Sequence, residues 1–173
     1  MDRTFHPENI IEQLALNRLV FDALFTASLK ADLLYRPAPG KWCVLEILCH
    51  LVDEEKDDFR VRLHHVLTNP TAPLPSTNPV AWMTERKYLE QSYEKKLEEF
   101  LTERFQTVRW LQSLENPNWN STYQHPKAGP LTAKMFLVNW LAHDMHHIRQ
   151  LNALQHAYLQ EKTGEDLKYA GDW

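Results

Sequence analysis

The chain has 173 residues, 43% of them hydrophobic, enough for one sizeable core and short for two ordinary domains, so residues 1–173 are expected to form a single domain. Only four glycines are present, so tight β-turn chemistry is scarce, while six Trp, six Tyr and seven Phe supply large apolar surfaces that favour helices over a sandwich or barrel. The formal net charge of -4 comes from interspersed acids and bases, which argues against nucleic acid as a partner, and no run of roughly eighteen apolar residues exists to cross a membrane.

The first residues, Met-Asp-Arg-Thr-Phe-His-Pro-Glu, lack the basic-then-apolar order of a secretory signal, so the cytoplasm is the expected compartment. A first helix is predicted over about 7–30, with Pro7 suited to its first turn and Ile10, Leu14, Phe21, Leu24 and Phe25 at helical spacing. The segment 35–41 carries Pro37, Pro39 and Gly40 and should form an extended link. A second helix is predicted over 42–67, its core side formed by Leu45, Leu48, Val52, Phe59, Leu63 and Val66. Four prolines between Asn69 and Met83 mark a long connection whose length suggests a lid or site wall, although a plain spacer fits equally well.

A third helix is predicted over 85–114, kinked or broken in places, with Leu89, Tyr93, Leu97, Phe100, Leu101, Phe105, Val108 and Leu111 inward. After a second connection, 116–130, a fourth helix is expected over 131–160, and the polar residues from Lys162 to Trp173 should be loosely ordered. Without a convincing strand, this pattern describes an all-α fold, a four-helix bundle with long crossover loops. Cys43 and Cys49 lie six apart on one helix, point to different sides, and read as reduced thiols.

The candidate chemistry lies in the nine histidines. His143 and His147 are four apart and share a helical face with Phe136, Trp140, Leu151 and Leu154, so both should point into the bundle, where two imidazoles could converge on one ion. A pair of core histidines satisfied by neighbouring polar groups would leave the same pattern. His50 is the best candidate for a third ligand, because its side of the second helix carries Cys43, Glu46, Ile47, Glu54, Asp57 and Val61. That stripe reads either as a pocket between helices or as a solvated face. His146 points about 60° from His143 and reads as a neighbouring or surface group. No glycine-rich phosphate loop, Gly-x-Ser-x-Gly elbow or Cys-x-x-Cys pair occurs.

Two segments, Trp42-Cys-Val-Leu-Glu46-Ile-Leu-Cys-His50-Leu-Val-Asp-Glu54 and His143-Asp-Met-His146-His147-Ile-Arg-Gln150, resemble the hallmark segments of the DinB-like, or YfiT-like, helical superfamily. Their order and separation match that family over nearly the whole chain. One departure is Ile148-Arg149, where many relatives have Arg-Gly before the glutamine. The resemblance implies a four-helix bundle, often a homodimer, that binds one divalent transition metal such as zinc or nickel on His50, His143 and His147. It also implies a leading activity, a metal-dependent S-transferase joining a low-molecular-weight thiol to a small-molecule electrophile. The alternatives are a metal-dependent hydrolase of a small ester or amide and a non-enzymatic metal-binding module of the stress response. No catalytic residue follows directly; Glu54, one turn beyond His50, is a candidate to orient an imidazole or receive a proton, against the plainer reading of a solvated surface carboxylate.

Overall fold

The computed structural model describes residues 4–27 and 33–172. Helix α1, Pro7–Ala27, buries Leu14, Phe21 and Phe25 completely. The expected extension to residue 30 falls outside the described residues. The second predicted helix is one continuous rod of three parts: α2, Val44–Asp53, a π-helical segment, Glu54–Phe59, and α3, Arg60–Thr68. All ten residues of α2 are buried, so this helix has no solvent side.

The π segment changes the phase of the rod. A π turn carries an extra residue, so side chains beyond it rotate relative to those before it. Cys43, Glu46, Ile47, His50 and Glu54 are all buried, but Asp57 and Val61, expected on the same stripe, are only partly covered.

The helix predicted over 85–114 is not one helix. A short helix α4, Pro79–Glu85, is capped by the Asn78 side chain, which accepts from the Ala81 N–H. The chain then turns at Lys87, whose φ of 48° is left-handed, passes through a 3-10 turn at Tyr88–Glu90, and starts again at Ser92, the N-cap of α5, Tyr93–Gln112. Leu89 lies on that turn and is exposed; Phe105 is also exposed, because the adjacent Arg104 takes the inward position. Nor is the proline-rich stretch a wall of the histidine site. It carries Trp82 and Tyr88 onto Cys43, Leu45 and Cys49 of the second helix.

The chain between α5 and the last helix holds a small hairpin that the sequence pattern does not reveal. Strands β1, Thr122–His125, and β2, Gly129–Thr132, pair antiparallel with Thr122 opposite Thr132 and His125 opposite Gly129. The turn needs Gly129 at φ 77°, and the His125 Nδ1 accepts from the Lys127 and Ala128 N–H groups. Helix α6, Ala133–Thr163, follows directly, with the Thr132 hydroxyl capping Met135, and ends on left-handed Gly164. A further 3-10 turn at Leu167–Ala170 occupies part of the tail for which loose order is expected.

These elements form the bundle: α1 packs against α5 and α6, α2 against α5, and α3 against α6. No described helix is long and apolar enough to cross a membrane. The apolar interior has two main parts. One gathers Leu14, Leu63, Val108, Leu137 and Trp140, and the other Phe21, Leu51, Phe100 and Leu151. Each long helix contributes to both parts, and between its two contributions each places a buried polar residue that joins one shared cluster: Asn17, Glu55, Arg104 and Asp144. A polar layer therefore crosses the middle of the bundle. On the outside, Leu16 and Val20 of α1 are exposed. Of an apolar stripe on α6 roughly opposite its histidines, Val138, Leu141, Met145 and Ile148, only Val138 and Met145 are exposed, while Leu141 and Ile148 pack against the two cores, so only half of it is left for any partner.

Candidate metal centre

Helix α6 is a regular α-helix throughout, so residues 143 and 147 stack one turn apart on its inner face. Across the bundle, α2 presents His50 to them. The His143 Nε2 lies 3.1 Å from the His50 Nε2 and 3.1 Å from the His147 Nε2, and the three ligand atoms are all within 4.8 Å of one another. The three histidines named from the sequence are thus brought together. Two nitrogens 3.1 Å apart subtend an angle of roughly 100° at an ion about 2.05 Å from each, close to tetrahedral or facial octahedral geometry.

Protons alone cannot satisfy this cluster. The His147 Nδ1 lies 2.8 Å from the Gln150 Oε1, so in this amide assignment it is protonated and donates, which leaves the His147 Nε2 bare. The His143 Nε2 can donate its single proton to that lone pair, but then offers nothing to the His50 Nε2. Only one of the two 3.1 Å contacts can be a full hydrogen bond. The His50 Nδ1 is buried with no hydrogen-bond partner, and the nearest carboxylate oxygen, Glu54 Oε1, is 3.7 Å away. Three converging ring nitrogens that protons can satisfy only in part are what a divalent cation would complete.

The electrostatics agree with that donor chemistry. Burial, followed by the repulsion of neighbouring histidines, lowers His50, His143 and His147 to about 3, so all three are neutral ligands near pH 7. Burial, reinforced by Asp58, raises Glu54 to about 8. In the metal-free protein these shifts predict a definite pH dependence. Between about 4.5 and 6.5 the unfolded chain binds more protons at the three histidines, and the folded chain binds more at two carboxyl groups, Glu54 and Glu55, which offset part of that difference. Stability should therefore fall as pH drops from 6.5 to 5, by about 1.4 kcal/mol per pH unit for each net proton. Urea unfolding of chelator-treated protein measures this, and a midpoint that stays flat over that interval would contradict it.

The open side of the cluster is a cavity of about 350 Å³ lined by Gly40, Lys41, Trp42, His143, His146 and Gln150, with His50 and His147 at its base. Its wall is fixed by sequence-local chemistry. Arg36 forms a two-pronged ion pair with Glu46 and donates to the Lys41 carbonyl at 2.6 Å, while Glu46 also accepts from the Cys43 N–H that begins α2. That clamp sets Trp42 edge-on to His50, with ring centres 4.9 Å apart, and parallel to His147. Trp42 belongs to the site as a wall residue; its place two helical turns before His50 was the available signal. Glu54 does not line the cavity and sits on the Nδ1 side of His50.

The remaining histidines are accounted for elsewhere or lie apart. His65 bonds to the Ala72 carbonyl, His64 lies tilted beside Trp110, and His6 pairs with Glu8. Arg60 and Arg62 pair with Glu103 and Asp58 and do not reach the site.

Beside the centre lies the polar layer. Arg104 makes a two-pronged ion pair with Asp144, at 2.6 and 2.7 Å, and reaches the Glu55 Oε1 at 2.5 Å. The Trp140 indole N–H donates to the same Glu55 oxygen, and Asn17 donates to Asp144. Burial opposes its charge, but the two carboxylates hold the Arg104 guanidinium ionised; burial raises Glu55, with Arg104 pulling the other way. Arg104 and Glu55 carried no distinguishing signal in the sequence.

The structure is similar to YfiT from Bacillus subtilis, described as "a probable metal-dependent hydrolase with an unusual four-helix bundle topology", at 16% identity and a TM-score of 0.77 over 96% of this chain and 94% of that one. It is also similar to TT2238, described as a four-helix bundle protein, at 19% identity and a TM-score of 0.60 over 86% of this chain and 99% of that one. Among the curated proteins none matches the chain in sequence. The family model of the DinB superfamily matches residues 13–151, most of the bundle and all three histidines, and the chain belongs to that superfamily.

Proposed function

We propose that the protein binds one divalent transition-metal ion, zinc or nickel, through the Nε2 atoms of His50, His143 and His147, and acts as a metal-dependent S-transferase that joins a low-molecular-weight thiol to a small electrophile. The observation that carries this reading is the unsatisfied convergence of three neutral imidazoles at the base of an open cavity. A divalent ion held there supplies Lewis acidity, which lowers the pKa of a thiol or a water in the remaining position.

The chain's own residues do the rest. Gln150 holds the proton on the His147 Nδ1 and so keeps its Nε2 directed at the centre. Glu54 faces the His50 Nδ1 from 3.7 Å, beyond hydrogen-bond distance, and would orient that ring or take its proton only on moving closer. Trp42 walls the cavity, and no carboxylate lines it, which suits thiol transfer, a reaction that needs no strong base beside the nucleophile.

Hydrolysis of a small ester or amide is the second reading, favoured by the likeness to YfiT. Here His146, on the cavity rim, is the available group for proton transfer. A panel of low-molecular-weight thiols with a chromogenic electrophile, run beside ester hydrolysis on metal-loaded and chelator-stripped protein, separates the two. Thiol-dependent turnover that disappears on stripping is expected. Metal-dependent ester turnover without a thiol requirement would favour hydrolysis, and no turnover in either assay would leave a metal-binding module.

A further inference from the structure

We propose that the small molecule admitted to the histidine cavity carries a carboxylate or similar acidic group, and that Lys41 is the residue that selects it. The proposal rests on the metal-centre reading above and adds the charge of the ligand. Although the chain carries a net charge of -4, no Asp or Glu lines this cavity. On one wall is Lys41, exposed, its backbone carbonyl pinned by Arg36 and its ammonium without a carboxylate partner among the described residues. On the helix side, Arg149 lies against the rim residue His146, 3.4 Å from its Nδ1, and likewise lacks a carboxylate partner among the described residues.

This is unlike most of the basic groups around the second helix. Arg36, Lys56, Arg60, Arg62 and Arg86 are each paired with a carboxylate. Positive charge left unpaired around a concave site with no acid in its lining attracts an anion, and does so most at low ionic strength. The wall that bears Lys41 is also held in place. Arg36 clamps it to Glu46, so the backbone from which the Lys41 side chain extends is fixed beside the cavity, and an anion bound there orders less chain than on a free loop. At about 350 Å³ the cavity fits a small molecule and not a folded partner.

Cobalt-loaded protein provides a readout that does not depend on turnover. Two probes with the same thiol head, 3-mercaptopropionate and 3-mercaptopropanamide, are titrated against the cobalt absorption bands. The acid should bind roughly tenfold tighter than the amide at low salt, with the advantage shrinking as salt is added. In Lys41→Gln that preference should fall to about twofold or less, with cobalt stoichiometry and amide affinity unchanged, and Arg149→Gln should have a smaller effect in the same direction. Equal binding of the two probes, or a preference that survives Lys41→Gln, would overturn the assignment of charge selection to Lys41 while leaving the metal centre intact. Failure to bind cobalt at all would overturn the metal reading on which it rests.

Discussion

Replacing Arg104 with methionine is expected to lower the stability of the protein by about 3–5 kcal/mol, one of the two largest effects this structure predicts. Arg104 is 1% exposed and neutralises two carboxylates from two other helices, Glu55 and Asp144, both as deeply buried. Methionine fills much of the same volume, so the loss would come from the acids left behind without a counter-charge and not from a cavity. Leucine at positions 55 and 144 in the same variant should recover most of the loss, because an apolar layer of similar volume replaces a buried ion cluster at little net cost. Urea unfolding followed by circular dichroism gives the comparison. A single Arg104→Met variant within about 1 kcal/mol of the parent would show that the polar layer is not holding the four helices in register.

The second large effect is on metal affinity. His147→Ala removes one of three ligands and is expected to weaken binding by more than about a hundredfold, while Gln150→Ala, which leaves the ligand but frees its ring, should cost about ten- to a hundredfold. That ordering follows from the 2.8 Å bond between the Gln150 Oε1 and the His147 Nδ1. Competition with a chromogenic chelator measures both, with far-ultraviolet circular dichroism to confirm that the variants are folded. Equal affinity in parent and His147→Ala protein would remove that residue from the site.

What could be read from the sequence depended on how regular each element is. Helix α6 keeps one phase from Ala133 to Thr163, so a simple helical projection places His143 and His147 correctly beside Trp140 and Leu151. On the second helix the same projection succeeds only up to Glu54, because the π segment then shifts the phase and carries Asp57 and Val61 off the stripe. Periodicity cannot reveal a turn with a different residue count. The break at Lys87 was hidden similarly: helical spacing continues in the sequence through a left-handed residue that ends the helix in space.

Arg104 was missed for another reason. A charged residue between apolar ones reads as a solvent face, and its partners Glu55 and Asp144 lie 49 and 40 residues away, beyond any local pattern. The hairpin at 122–132 escaped notice because its strands have only four residues each and one contains Pro130. Conversely, the long proline-rich connection suggested a lid, and in space it packs Trp82 and Tyr88 onto α2 away from the cavity. The wall of the site comes from the short link before α2, whose two prolines and glycine looked like mere punctuation.

Three imidazole ligands at one ion are tested most directly by X-ray absorption at the metal edge of the loaded protein. Three nitrogen ligands at about 2.0–2.1 Å with the outer-shell scattering of imidazole, plus at least one further light atom, is the predicted result. Sulfur at about 2.3 Å would assign the ion to Cys43 or Cys49. That, or an imidazole signal that does not diminish in His50→Ala and His147→Ala protein, would contradict the assignment.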